Sequence, residues 1–513
     1  MIIQRALQLA LVGSLGVFSV SCASRTSTYF SPIQNPSIYS FPAGFQFGSA
    51  TSAPQIEKTA NSDWDQFVRD TYKNRAFGFI EPGRAKPRNI RKLGDYPENT
   101  ALERTAHQRL YSQDFEAAHK MGQNAYRFSV SWDVLFPSAA MKEPSPEGIA
   151  YYRKLIQEMK KQGLTPWLTL FHFSTPQWFW NEVNGKRGWE RDDAVALFNQ
   201  YVQAVVKEFF NDVDYWVTLN EPNTYIFSSY MEGVFPPFEA RKDVSRAALV
   251  IENLMKCHAE AYRIIHATDA VKGRTNWVGM AHHTRAFEPM NTYSPVDRLV
   301  ASITQASFVD AFVDASLTGH FKIPLSSVDF TLPGLRGSED YIGLNYYGRY
   351  YVRAPLLKPL AFEVLMHDPA SPASIVNDVG WEHYPQGLTQ LLVKTHKKHH
   401  KPIYILEHGT ADANLNDERR QESITTHLAE ILYSIHEKKI DVRGYFHWSL
   451  MDNFEWTEGF EAKFGLYSVD FKDSKNYTRT PRKSVETYKS IIDKKTVPLD
   501  LWEKACSRYP KIL

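Results

Sequence analysis

From residue 41 onward the chain repeats one pairing, in which an amphipathic segment is followed by a continuous apolar run. In segment 146–163 the apolar side chains recur at the spacing of one helix face, and Gly163 supplies a helix stop. These apolar residues are Ile149, Tyr152, Leu155, Ile156 and Met159. The next segment, 164–173, is apolar with little alternation, which is typical of a parallel strand buried on both faces. The repeated pairing therefore predicts a series of βα units.

Eight strand-like runs are separated by helical stretches. They span 45–50, 125–130, 165–172, 215–220, 277–281, 341–346, 403–407 and 443–449. This number of βα units predicts an α/β fold, a (β/α)8 TIM barrel, in a single domain with long top-face loops. An open doubly wound sheet is the alternative, but no glycine-rich phosphate-binding turn follows the first run. Insertions at 56–105 and 350–378 each follow a strand, so we expect both at the C-terminal, or top, face of the barrel.

Composition narrows the class of protein. The chain has 513 residues, a length that a barrel with insertions reaches, and its 43% hydrophobic and 14% aromatic content is typical of a large folded core. A formal net charge of +2 gives no surface for a polyanion, so we predict no nucleic-acid partner. Three cysteines are too few for a disulfide framework. The oligomeric state leaves no signal in the sequence.

The N-terminal segment differs from the rest of the chain. Arg5 precedes an apolar stretch over 6–20, which is shorter than the roughly 20 residues that a spanning helix needs. Small residues around Cys22 follow, so the pattern predicts a secretory signal peptide and an exported protein. The Cys22 context is similar to a bacterial lipoprotein cleavage site, although Ser19 stands where leucine is usual. Membrane anchoring through a lipidated Cys22 is therefore left open.

These patterns predict the organisation of the whole chain. The predicted parts are a signal peptide over 1–22, a linker over 23–40, a barrel domain over 41–495 and a C-terminal tail over 496–513.

Two glutamates stand where predicted strands end. Glu221 follows the fourth run in WVTLNEP, and Glu407 ends the seventh in PIYILEH. Because the C-terminal strand ends of a barrel meet at one cavity, we expect the two carboxyl groups to face each other there. Two such groups suit cleavage of a glycosidic bond, one as proton donor and the other as nucleophile or base. Taken alone, each glutamate is equally compatible with a salt bridge at the barrel rim.

Further blocks lie at the other predicted strand ends, in a fixed order. They are FQFGSATSAPQIE, YRFSVSW, FHFSTPQ, YIGLNYY, GWEHYPQGL, GYFHWSLMDNFEWTEGF and RTPRKS. Together with WVTLNEP, these blocks resemble glycoside hydrolase family 1, the β-glucosidase-type retaining enzymes. The resemblance extends over about 41–492 and implies a retaining β-glycosidase on a (β/α)8 barrel.

The resemblance also implies roles for individual residues. Glu221 would be the general acid/base, with a pKa high enough to donate a proton near neutral pH. Glu407 would be the nucleophile, kept ionised by Arg127 and by a hydrogen bond from Tyr347. Substrate binding is implied for Gln55, His172, Asn220, Tyr347, Trp448, Glu455 and Trp456.

The same resemblance narrows the substrate. A carboxylate at Glu455 suits a neutral sugar with free 4- and 6-hydroxyl groups and would repel a 6-phosphate. We therefore expect an unphosphorylated β-D-glucoside or related β-glycoside as substrate, with no cofactor and no metal. Two alternatives stay open: a transglycosidase on the same fold, and a catalytically impaired glycan-binding pseudoenzyme.

Some positions depart from the family pattern. The nucleophile block usually has threonine before and asparagine after the glutamate, where this chain has Leu406 and His408. The third-strand block usually has tryptophan and aspartate after its histidine, where this chain has Phe173 and Ser174. Because both glutamates are present, we expect these changes to affect rate and specificity before activity itself. Which sugar and which aglycone the site accepts is not fixed by the sequence.

Overall fold

The computed structural model describes residues 32–59, 61–74, 96–238, 244–371 and 375–507. The predicted signal peptide, including Cys22, lies outside these residues, so export and lipidation stay predictions. The basic stretch at 77–95 within the first insertion also lies outside them.

Eight parallel strands close into a barrel, as the sequence predicts. Each strand pairs with the next one along the chain, and the last pairs with the first. The strands are β1 (Gln46–Ala50), β2 (Ala125–Ser129), β3 (Thr165–Phe171), β4 (Tyr215–Asn220), β5 (Trp277–Pro289), β6 (Ile342–Arg353), β7 (Ile403–His408) and β8 (Val442–Trp448).

Within the described residues, eight helical units surround the barrel. They are α1 (His107–Lys120), α2 (Pro146–Lys161), α3 (Ala194–Phe209), α4 (Val244–Lys272), α5 (Pro295–Gln305, continuing to Ala311–Thr318), α6 (Pro385–His399), α7 (Glu418–His436) and α8 (Ser484–Lys494). The start of α2 shows how the sequence sets a boundary. Ser145 accepts a hydrogen bond from the Gly148 backbone N–H at 3.2 Å, and Pro146 occupies the first turn.

Shorter elements complete the described chain. Short helices span Ala53–Ile56, Asp63–Asn74, Glu98–Glu103, Trp132–Leu135, Pro222–Ile226 and Leu499–Cys506. Short strands span His320–Lys322, Asp329–Thr331, Glu363–Leu365, Tyr467–Val469 and Arg479–Pro481. No helix among the described residues is long and apolar enough to cross a membrane.

Strands β5 and β6 continue well beyond the predicted ends at 281 and 346. Their upper parts pair with each other from Ala286↔Arg349 to Pro289↔Val352, above the barrel wall. The strand Glu363–Leu365 then pairs antiparallel with the end of β6. The hydrophobic pattern ends where the strands leave the apolar core, so the predicted boundaries were too short.

Large aromatic side chains fill the interior of the barrel. The Trp167 ring lies 4.7 Å from Tyr404, 5.2 Å from Phe446 and 5.3 Å from Tyr341, measured between ring centroids. Trp167 lies near the start of β3, so this packing closes the lower barrel. Open space for a ligand therefore lies at the top face.

Both insertions contribute to the top face. The Asp63 backbone N–H donates to the carbonyl of Thr175, which follows the end of β3. Helix Asp63–Asn74 also brings Trp64 against Trp456, with ring centroids 4.8 Å apart. The described parts of the insertions thus form part of the wall around the C-terminal strand ends.

The described residues on either side of the predicted barrel domain pack against its lower half. Tyr39 donates a hydrogen bond to Glu437 at 2.7 Å and stacks on His436 at the end of α7. The Phe41 backbone N–H donates to the carbonyl of Lys495 at 2.8 Å. In the C-terminal tail, helix Leu499–Cys506 buries Trp502. The end of the predicted linker and the start of the tail are therefore ordered parts of this domain.

Candidate active site

Glu221 has an unusual backbone conformation directly after β4. Its φ of 42° and ψ of 58° lie in the left-handed region, which costs a non-glycine residue about 1–3 kcal/mol. Its backbone N–H donates to the carbonyl of Ala281 at 2.7 Å, and Pro222 then starts the next helix. The surrounding pairing thus holds the carboxyl group at the top of the barrel in spite of the strain.

A β-bulge places Glu407. Along β7, Ile405 pairs with Leu344 and Glu407 pairs with Asn345, so Leu406 is the extra residue. Leu406 and Glu407 consequently both face the barrel interior. His408 faces the other way, where its Nε2 lies 3.3 Å from the Ser423 hydroxyl on α7.

Arg127 ties the nucleophile position to the end of β4. Its Nη1 donates to Glu407 Oε1 at 2.6 Å, and its Nη2 donates to Asn220 Oδ1 at 2.7 Å. Its Nε donates to the Thr169 hydroxyl at 3.1 Å. The other carboxylate oxygen of Glu407 accepts a hydrogen bond from the Tyr347 hydroxyl at 2.9 Å. The charge and the position of Glu407 are therefore set by residues on four other strands, β2, β3, β4 and β6.

Asn345 completes a hydrogen-bonded link between the two glutamates. Its Nδ2 donates to Asn220 Oδ1 at 3.2 Å and to Glu221 Oε1 at 2.8 Å. Because Asn220 also accepts from Arg127, the link runs from Glu407 to Glu221 through three side chains. The two carboxyl groups, 186 positions apart in the chain (407 − 221), thus lie in one site.

The pKa values differ from the expected pattern. Burial raises the pKa of Glu407 to about 7, and the charge of Glu221 adds to the rise, against the lowering effects of Arg127 and Tyr347. Burial also raises the pKa of Glu221, but His283 and Asn345 lower it by more, so that it falls below its usual range. The sequence predicted the reverse for these two glutamates. Because the charge of Glu221 acts on Glu407, the proton affinities of the two groups depend on each other.

Gln55, Trp448 and Glu455 form one polar group at the edge of the site. Gln55 Nε2 donates to Asn453 Oδ1 at 3.1 Å and to Glu455 Oε2 at 3.2 Å. Trp448 Nε1 donates to the same oxygen of Glu455 at 3.4 Å. Gln55 Oε1 is buried without a hydrogen-bond partner, so it remains able to accept from a ligand hydroxyl.

The charge expected at Glu455 also differs. Burial raises the pKa of Glu455 to about 8, and the charge of Glu407 adds to the rise, against the hydrogen bond from Trp448. This shift favours the protonated form of Glu455 at neutral pH, whereas the sequence predicts a carboxylate. In the protonated form it both donates and accepts hydrogen bonds.

His172 lies between two tryptophans at the site. Its ring centroid is 5.7 Å from that of Trp448 and 6.0 Å from that of Trp456, with stacked planes. Burial and the charge of Arg127 lower the pKa of His172 well below its usual range, so the ring is neutral. Its Nδ1 is buried without a hydrogen-bond partner.

The structure thus brings every predicted site residue to the top of the barrel.

The departures in the third-strand block have structural roles. Phe173 has a positive φ of 66°, and its carbonyl accepts a hydrogen bond from Trp64 Nε1 at 2.9 Å. Its ring packs 5.3 Å from that of Trp456, so an aromatic residue is kept at this position. The Ser174 hydroxyl donates to Asp63 at 3.2 Å. Both residues therefore support the wall of the site.

Sequence reasoning missed three residues of the site. Asn345 was recoverable, because it lies two positions before Tyr347 in YIGLNYY and so shares its strand face. His283 and Arg285 lie in β5 beyond its predicted end at 281, and no sequence signal placed them in a strand. The structure puts His283 Nδ1 3.0 Å from Glu221 Oε2.

No group of three or more His, Cys, Asp or Glu side chains is arranged to hold a metal ion in the described ranges. The class of protein follows from the fold and the site together. The fold is a closed parallel barrel, and the site holds two linked, buried glutamates among tryptophan and amide side chains. Such a site belongs to a glycosidase that works with two carboxyl groups.

Comparison with known proteins identifies the family. The model of glycosyl hydrolase family 1 matches residues 38–497, and the chain belongs to this family. It is 29% identical to β-glucosidase 25 of Oryza sativa subsp. japonica, over 89% of this chain and 95% of that protein. It is 31% identical to β-glucosidase 13 of Arabidopsis thaliana, over 89% of this chain and 92% of that protein.

Solved structures agree with this assignment. A β-glycosidase from Pyrococcus horikoshii is 31% identical, with a TM-score of 0.76 over 93% of this chain and 99% of that one. A rice β-glucosidase, solved in a covalent complex with Glc, is 26% identical, with a TM-score of 0.75 over 88% of this chain and 99% of that one. The chain is therefore a retaining β-glycosidase, and the comparisons favour hydrolysis over the transglycosidase and pseudoenzyme alternatives.

Proposed function

We propose that this protein hydrolyses unphosphorylated β-D-glucosides or related β-glycosides, with Glu407 as nucleophile and Glu221 as general acid/base. The observation that carries the proposal is the hydrogen-bonded link from Glu407 through Arg127, Asn220 and Asn345 to Glu221. It holds two carboxyl groups in one buried site, where a retaining mechanism needs them.

The first step forms a glycosyl–enzyme intermediate. A carboxylate oxygen of Glu407 forms a bond to the anomeric carbon while the bond from that carbon to the glycosidic oxygen breaks. The electron pair of the broken bond stays on the glycosidic oxygen, which takes the proton of Glu221. Arg127 and Tyr347 bind the two oxygens of Glu407 and so hold it in position for the attack.

The second step releases the sugar. Glu221, now ionised, takes a proton from water, and the water oxygen forms a bond to the anomeric carbon. The ester bond to Glu407 breaks, which restores the carboxylate. The attack needs Glu407 ionised and Glu221 protonated, so the mechanism requires the proton of the pair to be on Glu221 when the substrate is bound.

Sugar recognition follows from the unused polar atoms. Asn220 Oδ1 is held by Arg127 and Asn345, which leaves its NH2 group for the sugar 2-hydroxyl. The neutral Glu455 and the free Gln55 Oε1 suit the hydroxyls at the far end of the ring. The side chains that donate to Glu455, those of Gln55 and Trp448, carry no positive charge for a 6-phosphate. We therefore infer an unphosphorylated sugar.

A panel of aryl β-glycosides tests the proposal in wild type, Glu221→Ala and Glu407→Ala. We expect phenol release by the wild type and a loss of about 10³-fold or more in kcat for both variants. Glu363→Ala is the matched control. Glu363 forms an exposed ion pair with Arg353, and exposed ion pairs contribute little to stability. Equal background release by all four proteins would contradict the proposal.

A further inference from the structure

Two basic residues of β5 stand behind Glu221 in a row. His283 Nδ1 lies 3.0 Å from Glu221 Oε2, on the side of the carboxyl group away from Asn345. Arg285, two positions further along the same strand, donates from Nε to His283 Nε2 at 3.2 Å. Both side chains are buried, with His283 8% and Arg285 2% exposed. The proposed mechanism above assigns no role to either of them.

The contact from Arg285 sets the tautomer of His283. An arginine is always protonated and only donates hydrogen bonds, so His283 Nε2 must present its lone pair. A ring proton on Nδ1 then lies next to Glu221. Oε1 of Glu221 accepts a hydrogen bond from Asn345, and Oε2 lies 3.0 Å from His283 Nδ1, an atom that is buried and makes no other hydrogen bond.

Arg285 is itself held rigidly. Its guanidinium carbon lies 4.3 Å from the ring centroids of both Tyr350 and Trp381, in cation–π contact. Its Nη1 donates to the carbonyl of Tyr347 at 2.8 Å. The His283 ring is stacked 6.2 Å from the ring of Tyr347, whose hydroxyl binds Glu407. His283 and Arg285 are thus held against β6, the strand whose Tyr347 also binds the nucleophile.

We propose that Arg285 and His283 act as a positioning pair that orients the carboxyl group of Glu221 and stabilises its ionised form as it gives up its proton. The inference rests on the proposed role of Glu221 as acid/base. The Asn345 hydrogen bond on one oxygen and the His283 ring 3.0 Å from the other favour the carboxylate over the carboxylic acid, so they make Glu221 a stronger acid. They also fix the direction in which its proton leaves.

How much a more acidic Glu221 speeds the reaction depends on the leaving group. An aryl group of low basicity departs without help, whereas phenol or an alcohol needs the proton as the bond breaks. The positioning pair therefore matters for natural, basic leaving groups. Other polar or charged groups near Glu221 are Asn345, Tyr347 and Tyr350 from β6, Thr224 on its own segment, and Glu407 with Arg127 across the site.

The test compares His283→Leu with His283→Asn on phenyl and 2,4-dinitrophenyl β-D-glucosides. For His283→Leu we expect kcat/KM to fall about 30- to 100-fold on the phenyl substrate and less than about threefold on the dinitrophenyl substrate. The alkaline limb of the pH profile should move to higher pH, because Glu221 loses a donor that lowers its pKa. His283→Asn, whose amide can donate in place of Nδ1, should recover most of the phenyl activity.

Arg285→Met should show the same dependence on the leaving group with a smaller loss, since His283 itself stays beside Glu221 and loses only its contact with Arg285. If a variant fails to fold, His283→Asn still tests the proposal through its pH profile and its phenyl-to-dinitrophenyl ratio. His320→Leu, an exposed histidine replaced in the same way, is the control.

Equal losses on both substrates with an unmoved alkaline limb would overturn the inference, as would unchanged activity on both. Absence of wild-type activity on either substrate would instead contradict the proposed function.

Discussion

At the scale of single residues, the shared environment of Glu221 and Glu407 decides how the site responds to pH. The charge of Glu221 helps to raise the pKa of Glu407 to about 7. Removing that charge therefore lowers the pKa of Glu407. The proposed mechanism needs one proton on the pair, so the active form is lost on the alkaline side when that proton leaves.

The variant Glu221→Gln tests this coupling with 2,4-dinitrophenyl β-D-glucoside, which needs no proton donor. We expect the wild-type rate on this substrate to rise through about pH 7, where Glu407 becomes ionised. In the variant only Glu407 titrates, so the rate of glycosylation should rise with pH and then stay level. The midpoint of that rise should lie below about 7, since the neighbouring charge is gone.

Measurement of kcat/KM across pH 4.5–9.5, a range of about two units or more on each side of that value, would check this prediction. A midpoint that is the same in wild type and in Glu221→Gln would contradict the coupling between the two glutamates.

At the scale of elements, the bulge in β7 divides the nucleophile block between two environments. Leu406 fills the interior beside Gly343, where an added Cβ would lie 2.4 Å from Leu406 Cδ1. His408 points to α7, with its ring 3.9 Å from that of His427 and its Nδ1 2.7 Å from the Tyr445 hydroxyl. The two departures from the family pattern are therefore packing features on opposite sides of the strand.

His408 also predicts a pH dependence of stability. Burial, with nearby His427, His447 and His383, lowers the pKa of His408 well below the ordinary value of about 6.5, so the folded protein keeps this ring neutral. The unfolded chain takes up the proton below about pH 6.5, which costs the folded state about 1.4 kcal/mol per pH unit until the folded pKa is reached. The stability that depends on a neutral His408 is fully present above about pH 6.5 and is lost as the pH falls.

We expect His408→Asn to lose less stability than the wild type between pH 7 and pH 5.5, whatever its stability at pH 7. Thermal unfolding midpoints of both proteins at the two pH values check this, with the exposed His320→Asn as control. Equal shifts of the midpoint in wild type and His408→Asn would show that His408 titrates normally in the folded protein.

The strands β1 to β8 show which parts of the fold and of the site the sequence could predict. Apolar runs predicted all eight barrel strands, because a strand buried on both faces has to be apolar. Beyond the core the upper part of β5 carries His283 and Arg285, polar residues that serve the site, so the pattern ended before the strand did. The sequence also could not predict the relative pKa values of Glu221 and Glu407. It depends on burial and on distances between side chains that the order of residues does not contain.

At the scale of the whole molecule, the two faces of the barrel are specialised. Aromatic packing around Trp167 closes the lower interior, and the described residues 32–40 pack outside it against the end of α7. The top face receives the described parts of both insertions and the catalytic strand ends. A single top-face site is what the closed topology makes available, and it was predictable once the eight strands were recognised.

The central claim is that Glu407 forms a covalent bond to the sugar. The most direct test is incubation with 2,4-dinitrophenyl 2-deoxy-2-fluoro-β-D-glucoside, whose fluorine slows release of the intermediate, followed by mass spectrometry of the intact and digested protein. The account predicts time-dependent inactivation, one added fluorodeoxyglucosyl group per chain, and its location on the peptide that contains Glu407. Turnover of ordinary aryl glucosides by a protein that gains no such group, or gains it on another residue, would contradict the account.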